Sequence, residues 1–274
     1  MGAPTALVTG ASRGIGRATA IALAEAGFDV AVTARTVRDG DPTARAGDVV
    51  LPGSLESTAV EIEARGRRAV RVPLDLLDRE ALWPAVDAAI EGLGHVDVVV
   101  NNAIYVSSGG AKAFLEVDPD DVVNQVWGDL TAQLLLLQRI VGHMVGRGGG
   151  VVVNVGAGSA HYKLRRPIGR GGAPLVYVAA KAGFHRVADR LANEYGALGI
   201  TAFTIDPGYV TTERVALTTD LSAVAARGVE PSVVGAAIAW LVTAGVAEAE
   251  NGSYHEAQSI ARELGLLPPV ESTS

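Results

Sequence analysis

Val8-Thr9-Gly10-Ala11-Ser12-Arg13-Gly14-Ile15-Gly16 decides how this chain is read, because it joins the first apolar run to the first helical pattern. Ala6-Leu7-Val8 is short and apolar, and from Ile15 to Ala26 apolar residues recur at helical spacing. The order is therefore strand, glycine turn, helix. Glycines in such a turn accept positive φ and let backbone amides approach a ligand, while the free N–H groups of the helix N-terminus favour a phosphate. Gly10, Gly14 and Gly16, with Ser12, Arg13 and Ile15 between them, are the candidate pyrophosphate cradle. A tight turn that binds nothing has the same spacing, so the motif needs support from elsewhere in the chain.

The 274 residues suit one large α/β domain, and no linker-like stretch divides them. The net charge of −7 argues against a nucleic-acid footprint, and the absence of cysteine excludes disulfides, thiolate catalysis and Cys-ligated metals. The histidines are dispersed without metal-ligand spacing. The first strand starts almost at Met1 and no apolar run has membrane-spanning length, so a soluble cytoplasmic protein is expected.

Gly27 ends the first helical pattern and Asp29 to Ala34 reads as a second buried strand that stops at Arg35. In dinucleotide-binding folds an acid at that strand end bonds the ribose of NAD, whereas an arginine there accommodates the 2′-phosphate of NADP. Ala34-Arg35, with Arg13 in the turn, favours NADP(H); Arg38 and Arg45 are alternatives, and both arginines also fit a plain solvated surface. Thr36 to Gly53 is too long for a usual βα connection and reads as an inserted loop, either a lid over the adenosine end or a surface excursion. Ser54 to Arg65 is helical, Ala69 to Val72 a third strand leading to Asp75-Leu76, and Arg79 to Gly92 another helix. The run from His95 is a fourth strand ending in Asn101-Asn102-Ala103, amides placed at the carboxyl edge where such sheets bind ligands. Asp118-Pro119 caps a helix read through to about Val145, and Val151 to Val155 is a fifth strand.

His161 to Arg170 carries Lys163, Arg165, Arg166 and Arg170 without an acid, either a cationic substrate mouth or a solvated loop. The helix from Val176 to Tyr195 opens with Tyr177-x-x-x-Lys181, whose members share one face about 6 Å apart along the axis. A phenol with pKa near 10 is a weak acid, and a neighbouring ammonium lowers that pKa, so the pair suits proton transfer to an alkoxide. A sixth strand, Ile200 to Ile205, precedes Asp206-Pro207-Gly208-Tyr209-Val210-Thr211-Thr212; the stretch from about 210 to 230 is weakly periodic until Pro231 opens a further helix.

Thr9 to Gly16 resembles the cofactor signature of the short-chain dehydrogenase/reductase family, and five further stretches follow in the family's order, covering Ala6 to Thr212. Asn101-Asn102-Ala103-Ile104 is similar to its Asn-Asn-Ala-Gly, Asp129-Leu130-Thr131-Ala132 to its Asn-Leu-x-Gly, and Asn154 to Ala157 to its Asn-Ile-Ser-Ser. Tyr177-x-x-x-Lys181 and Pro207-Gly208-x-Val210-x-Thr212 complete the set. The resemblance implies a Rossmann-type doubly wound, mostly parallel seven-stranded sheet with helices on both faces, and a homodimer or homotetramer. It implies that Tyr177 is the acid/base, that Lys181 tunes it and anchors the nicotinamide ribose, and that Asp75 meets the adenine. Leu76, Asn102 and Ala103 flank the cofactor, and Pro207, Gly208, Val210 and Thr212 hold the carboxamide. Two columns depart from the pattern. Ala157 stands where the family has its serine, leaving Ser159 as the nearest hydroxyl, and Asp129 stands where it has a relay asparagine. The implied activity is an NADP(H)-dependent oxidoreductase acting on a small carbonyl or alcohol; Ala157, Asp129 and Ile104 support the alternative of a weakly active or non-catalytic dinucleotide-binding sensor or subunit.

Overall fold

In the strands, successive side chains enter two different cores. Ala6, Val8, Val98, Val100, Val153, Phe203 and Ile205 enter one, and Leu7, Val99, Val152 and Ala202 enter the other. Alternation with both sides apolar requires a sheet covered on both faces. The computed structural model describes residues 2–41, 45–46, 48–106, 112–168, 172–218, 228–247 and 249–268. Its main sheet contains β1 (Thr5–Thr9), β2 (Asp29–Ala34), β5 (Ala69–Pro73), β6 (Val98–Asn101), β7 (Gly150–Val155), β8 (Ile200–Asp206) and β9 (Tyr254–Glu256). They lie in the order β5-β2-β1-β6-β7-β8-β9, all parallel, as the doubly wound reading expects. Between β1 and β6 the winding reverses, and in such sheets the ligand crevice lies outside the strand ends at that reversal.

One face is covered by α1 (Gly14–Glu25), α2 (Leu55–Glu63), α9 (Pro231–Val242) and α10 (Ala257–Glu263), with Leu23, Ile62, Ile238 and Leu241 fully buried. The other is covered by α3 (Leu82–Leu93), α5 (Ala132–Gly146) and α7 (Leu175–Tyr195), with Leu82, Ile140, Met144 and Phe184 buried. Each such side chain contributes roughly 1.5–3 kcal/mol relative to exposure. No helix among the described residues is long and apolar enough to cross a membrane.

Three segments differ from the sequence expectation. The helix read from Asp118 to about Val145 is α4 (Pro119–Val126) and α5 joined by a π-helical turn, Trp127–Thr131. The inserted stretch 36–53 pairs β3 (Arg45–Ala46) with β4 (Val49–Val50), buries Leu51 and packs Gly53 against the glycine turn, where an added Cβ would lie 2.5 Å from the Ser12 carbonyl oxygen. The weakly periodic stretch after β8 forms α8 (Glu213–Thr218) and a bridge between Val210 and Val229; the rest of it, 219–227, lies outside the described residues.

The first turn depends on close backbone approach. A Cβ on Gly16 would lie 2.3 Å from the Gly10 carbonyl oxygen and 2.5 Å from the Asn102 amide nitrogen. Gly16→Ala is therefore expected to lower unfolding stability by about 1–3 kcal/mol, as overpacking does, and to weaken dinucleotide binding. Gly142→Ala, on an open face of α5 with nothing within 4 Å, is the matched control and is expected to stabilise by about 0.5–1 kcal/mol. Denaturant unfolding measures both; equal effects would remove the packing argument.

Candidate active site

The carboxyl ends of β1, β6, β7 and β8 share one edge of the sheet. At β1, Gly10 and Gly14 hold φ of +67° and +55°, the left-handed region that glycine tolerates. The Asn102 side-chain amide donates to the carbonyls of Thr9 (2.9 Å) and Gly10 (3.2 Å), while the Asn102 and Ala103 N–H groups donate to Thr9 Oγ1, each at 3.0 Å. Asn102 thus fixes the turn from the neighbouring strand end. A crevice of about 240 Å³ opens over it, lined by the turn, by Ala34-Arg35-Thr36, by Asp75 and Leu76, by Asn102 to Val106 and by Thr212 to Arg214. The Asp75 carboxylate also accepts the Leu77 N–H at 3.0 Å.

Two features describe the charge of this crevice. The Gly14 N–H already donates to a carboxylate, Glu213 Oε2, at 2.9 Å, so the helix N-terminus binds an anion supplied by the chain itself. At the β2 end, Arg13, Arg35 and Arg214 line the same wall. Burial holds the Arg13 guanidinium below its ordinary pKa; Glu213 opposes this, and the charges of Arg214 and Arg35 add to it. Burial and Arg35 lower Arg214 in the same way. Arg13 is otherwise engaged with the inserted segment, donating from Nε to Pro52 O (2.9 Å) and from Nη2 to Gly53 O (2.8 Å) and Thr36 Oγ1 (3.1 Å). Glu213 and Arg214 escape a sequence reading because α8 reaches the turn only through the tertiary fold.

A second cavity, about 550 Å³, lies beyond β7 and β8. Ala157, Ser159, Tyr162, Tyr177, Asp206, Pro207 and Gly208 are among its walls. Tyr177, Ser159 and Ala157 therefore face one space. Lys181, one turn after Tyr177 on α7, is buried and donates from Nζ to the Val155 carbonyl at 2.8 Å. Burial lowers its pKa to about 8, with the Asp129 charge opposing.

Asp129 sits in the π turn with no exposed surface. Its Oδ1 accepts the Tyr105 N–H at 2.7 Å and its Oδ2 a short bond from Gln125 Nε2. The bare Cα of Gly128 lets Tyr105 close on this turn, since a Cβ there would lie 2.5 Å from Tyr105 Cβ. Burial raises the Asp129 pKa, against the Lys181 charge and both hydrogen bonds.

The Tyr177 phenol corrects an expectation. Its pKa is raised, first by burial and then by the charges of Asp129 and Asp206, where a neighbouring ammonium was expected to lower it. The Pro-Gly-x-Val-x-Thr stretch is also divided: Thr212 lines the crevice, Pro207 and Gly208 line the second cavity, and Val210 is buried in the core. The cationic mouth does not form among the described residues, because Lys163, Arg165 and Arg166 are exposed and line neither cavity, while Arg170 lies outside the described residues.

The model of the short chain dehydrogenase family matches residues 4–221. L-rhamnose 1-dehydrogenase (NAD(P)(+)) of Sphingomonas sp. (strain SKA58) is 35% identical over 211 residues, 76% of this chain and 73% of that protein. Gluconate 5-dehydrogenase of Gluconobacter oxydans (strain 621H) is 31% identical over 208 residues, 76% of this chain and 72% of that protein. Among solved structures, the 3-oxoacyl-[acyl-carrier protein] reductase of Brucella melitensis in complex with NAD superposes with a TM-score of 0.77 at 25% identity, covering 96% of this chain and 98% of that one. With the glycine turn, the parallel sheet order and the Tyr177–Lys181 helix all in the arrangement the motifs implied, this chain belongs to the short chain dehydrogenase family and is an oxidoreductase of the CH–OH/C=O type.

Proposed function

We propose that the protein is an NADP(H)-dependent oxidoreductase in which Tyr177 exchanges a proton with the oxygen of a carbonyl or alcohol substrate. The observation that carries this reading is the placement of Tyr177 on the wall of the second cavity with Lys181 buried one helical turn behind it. The dinucleotide would rest on Gly10, Gly14 and the N-terminus of α1, with Arg35 and Arg214 beside Arg13 for its 2′-phosphate, and it supplies or accepts the hydride. The chain's own residues do the rest. As the carbonyl carbon receives a hydride, the Tyr177 Oη–H bond breaks and its proton passes to the carbonyl oxygen; oxidation runs the same transfer backwards. Burial and two flanking carboxylates hold the phenol protonated, the form that reduction requires. Ser159 is the hydroxyl available to orient the substrate oxygen in place of the missing serine, and buried Asp129 with Gln125 occupies the position of the relay amide.

Tyr177→Phe is expected to reduce kcat by at least about a hundredfold with NADPH affinity unchanged, the scale of a lost general acid, in a carbonyl-reduction assay paired with a binding titration. Ser159→Ala is expected to cost about tenfold or more in kcat; activity untouched by either change would refute the assigned role. Arg35→Asp should weaken NADPH by about tenfold or more while sparing NADH, read as the ratio of the two dissociation constants. Equal affinities before and after would refute the 2′-phosphate assignment. Glu213→Gln removes the internal anion from Gly14 N–H and should tighten NADPH about threefold or more, by fluorescence titration. An unchanged dissociation constant would mean that Glu213 does not compete with the cofactor.

A further inference from the structure

Among the described lining residues of the cavity beside Tyr177 there is one carboxyl side chain, Asp206, and no lysine, arginine or histidine. Its backbone ends β8, in register with Glu256 of β9. Its side chain is held on both oxygens. Oδ1 accepts the Gly208 N–H at 3.0 Å and Oδ2 accepts the Tyr254 hydroxyl at 3.2 Å. Tyr254 is itself stacked on His161, ring centroids 4.0 Å apart and planes within 7°. On its other side the carboxylate rests against bare backbone, since a Cβ on Gly158 would lie 2.4 Å from Oδ2. Gly158 separates Ala157 from Ser159, so Asp206 sits against the segment where the family carries its serine.

A carboxylate offers about four acceptor positions, and the two bonds named leave capacity on a group that lines the cavity. We infer that Asp206 is the specificity-determining residue of this enzyme: it accepts a hydrogen bond from a donor on the substrate, a hydroxyl or an ammonium one or two carbons from the reacting carbon, and disfavours a carboxylate there. The inference deepens the function proposed above and rests on it. A substrate without a donor leaves a half-buried acceptor desolvated and unpaired, and an anionic substrate brings like charges together, whereas an ammonium forms the stronger, charge-assisted bond. A cationic donor also offsets one of the two negative charges that act on Tyr177.

The test is NADPH-dependent reduction of ketones matched in size, carrying hydroxyl, ammonium, methyl or carboxylate one or two carbons from the carbonyl. The wild-type enzyme is expected to favour a donor-bearing ketone over its methyl counterpart by about tenfold or more in kcat/KM, with the carboxylate lowest. Asp206→Leu should bring hydroxyl, ammonium and methyl members within about threefold of one another in kcat/KM, measured at saturating NADPH. Asp206→Asn keeps a carbonyl acceptor for Tyr254; it should abolish the ammonium advantage and retain that of the hydroxyl, and it decides the matter if the leucine variant unfolds. Which donor the wild type prefers identifies the substrate as an amino ketone or a hydroxy ketone. Preference for the carboxylate, or a ranking that neither substitution alters, overturns the role of Asp206 while leaving Tyr177-dependent reduction standing. Absence of turnover with every ketone overturns the oxidoreductase reading and this inference with it.

Discussion

The grip of Asn102 on the first turn is the constraint on which the site depends. β1 and β6 are adjacent because the winding reverses between them, and the amide at the end of one bonds the last carbonyls of the other. This holds Gly10 in its left-handed conformation and brings Gly16 against the Gly10 carbonyl, so α1 starts close under the turn. With the helix start fixed there, the Gly14 N–H faces the crevice and is available to an anion. The inserted segment and the helix after it strengthen the same point from the opposite side: Arg13 donates to the carbonyls of Pro52 and Gly53 in the insertion, and Thr58 Oγ1 of α2 donates to Ala11 O at 2.8 Å. The insertion, read from sequence as either a lid over the adenosine end or a surface excursion, is thus clasped onto the glycine turn.

What was legible in the sequence was local. Strand–turn–helix order, the alternating apolar strands and the Tyr177–Lys181 spacing each depend on neighbours within one or two turns, and the sheet order and α7 agree with them. What was hidden depends on contacts that no spacing records. Trp127 to Thr131 reads as ordinary helix; its π turn arises where Trp127 Nε1 reaches the Leu76 carbonyl at 2.8 Å and Tyr105 packs on Gly128. The extra residue in that turn accompanies the complete burial of Asp129, and such turns recur at functional sites. Asp206 read as one residue of a post-strand turn, because its significance comes from Gly158, Tyr254 and the cavity rather than from its own neighbours. Glu213 is 199 residues from the glycine whose amide it binds.

The electrostatics of Tyr177 follow from these hidden contacts. A lysine four residues along a helix implies a depressed phenol, yet Lys181 points its ammonium at the Val155 carbonyl and has its own pKa lowered by burial. Burial raises the phenol first, and Asp129 and Asp206 add to it from two elements, so the proton is held on oxygen. Burial acts on His185 as well. His185 Nε2 accepts the Ala157 N–H at 3.0 Å, and burial, followed by the charges of Lys181 and His161, lowers its pKa to about 4, so the ring is neutral where it supports the Ala157 backbone. The segment that carries Ala157 is thus supported from α7 by a neutral ring, while the side chain of Asp206 rests against its next residue, Gly158.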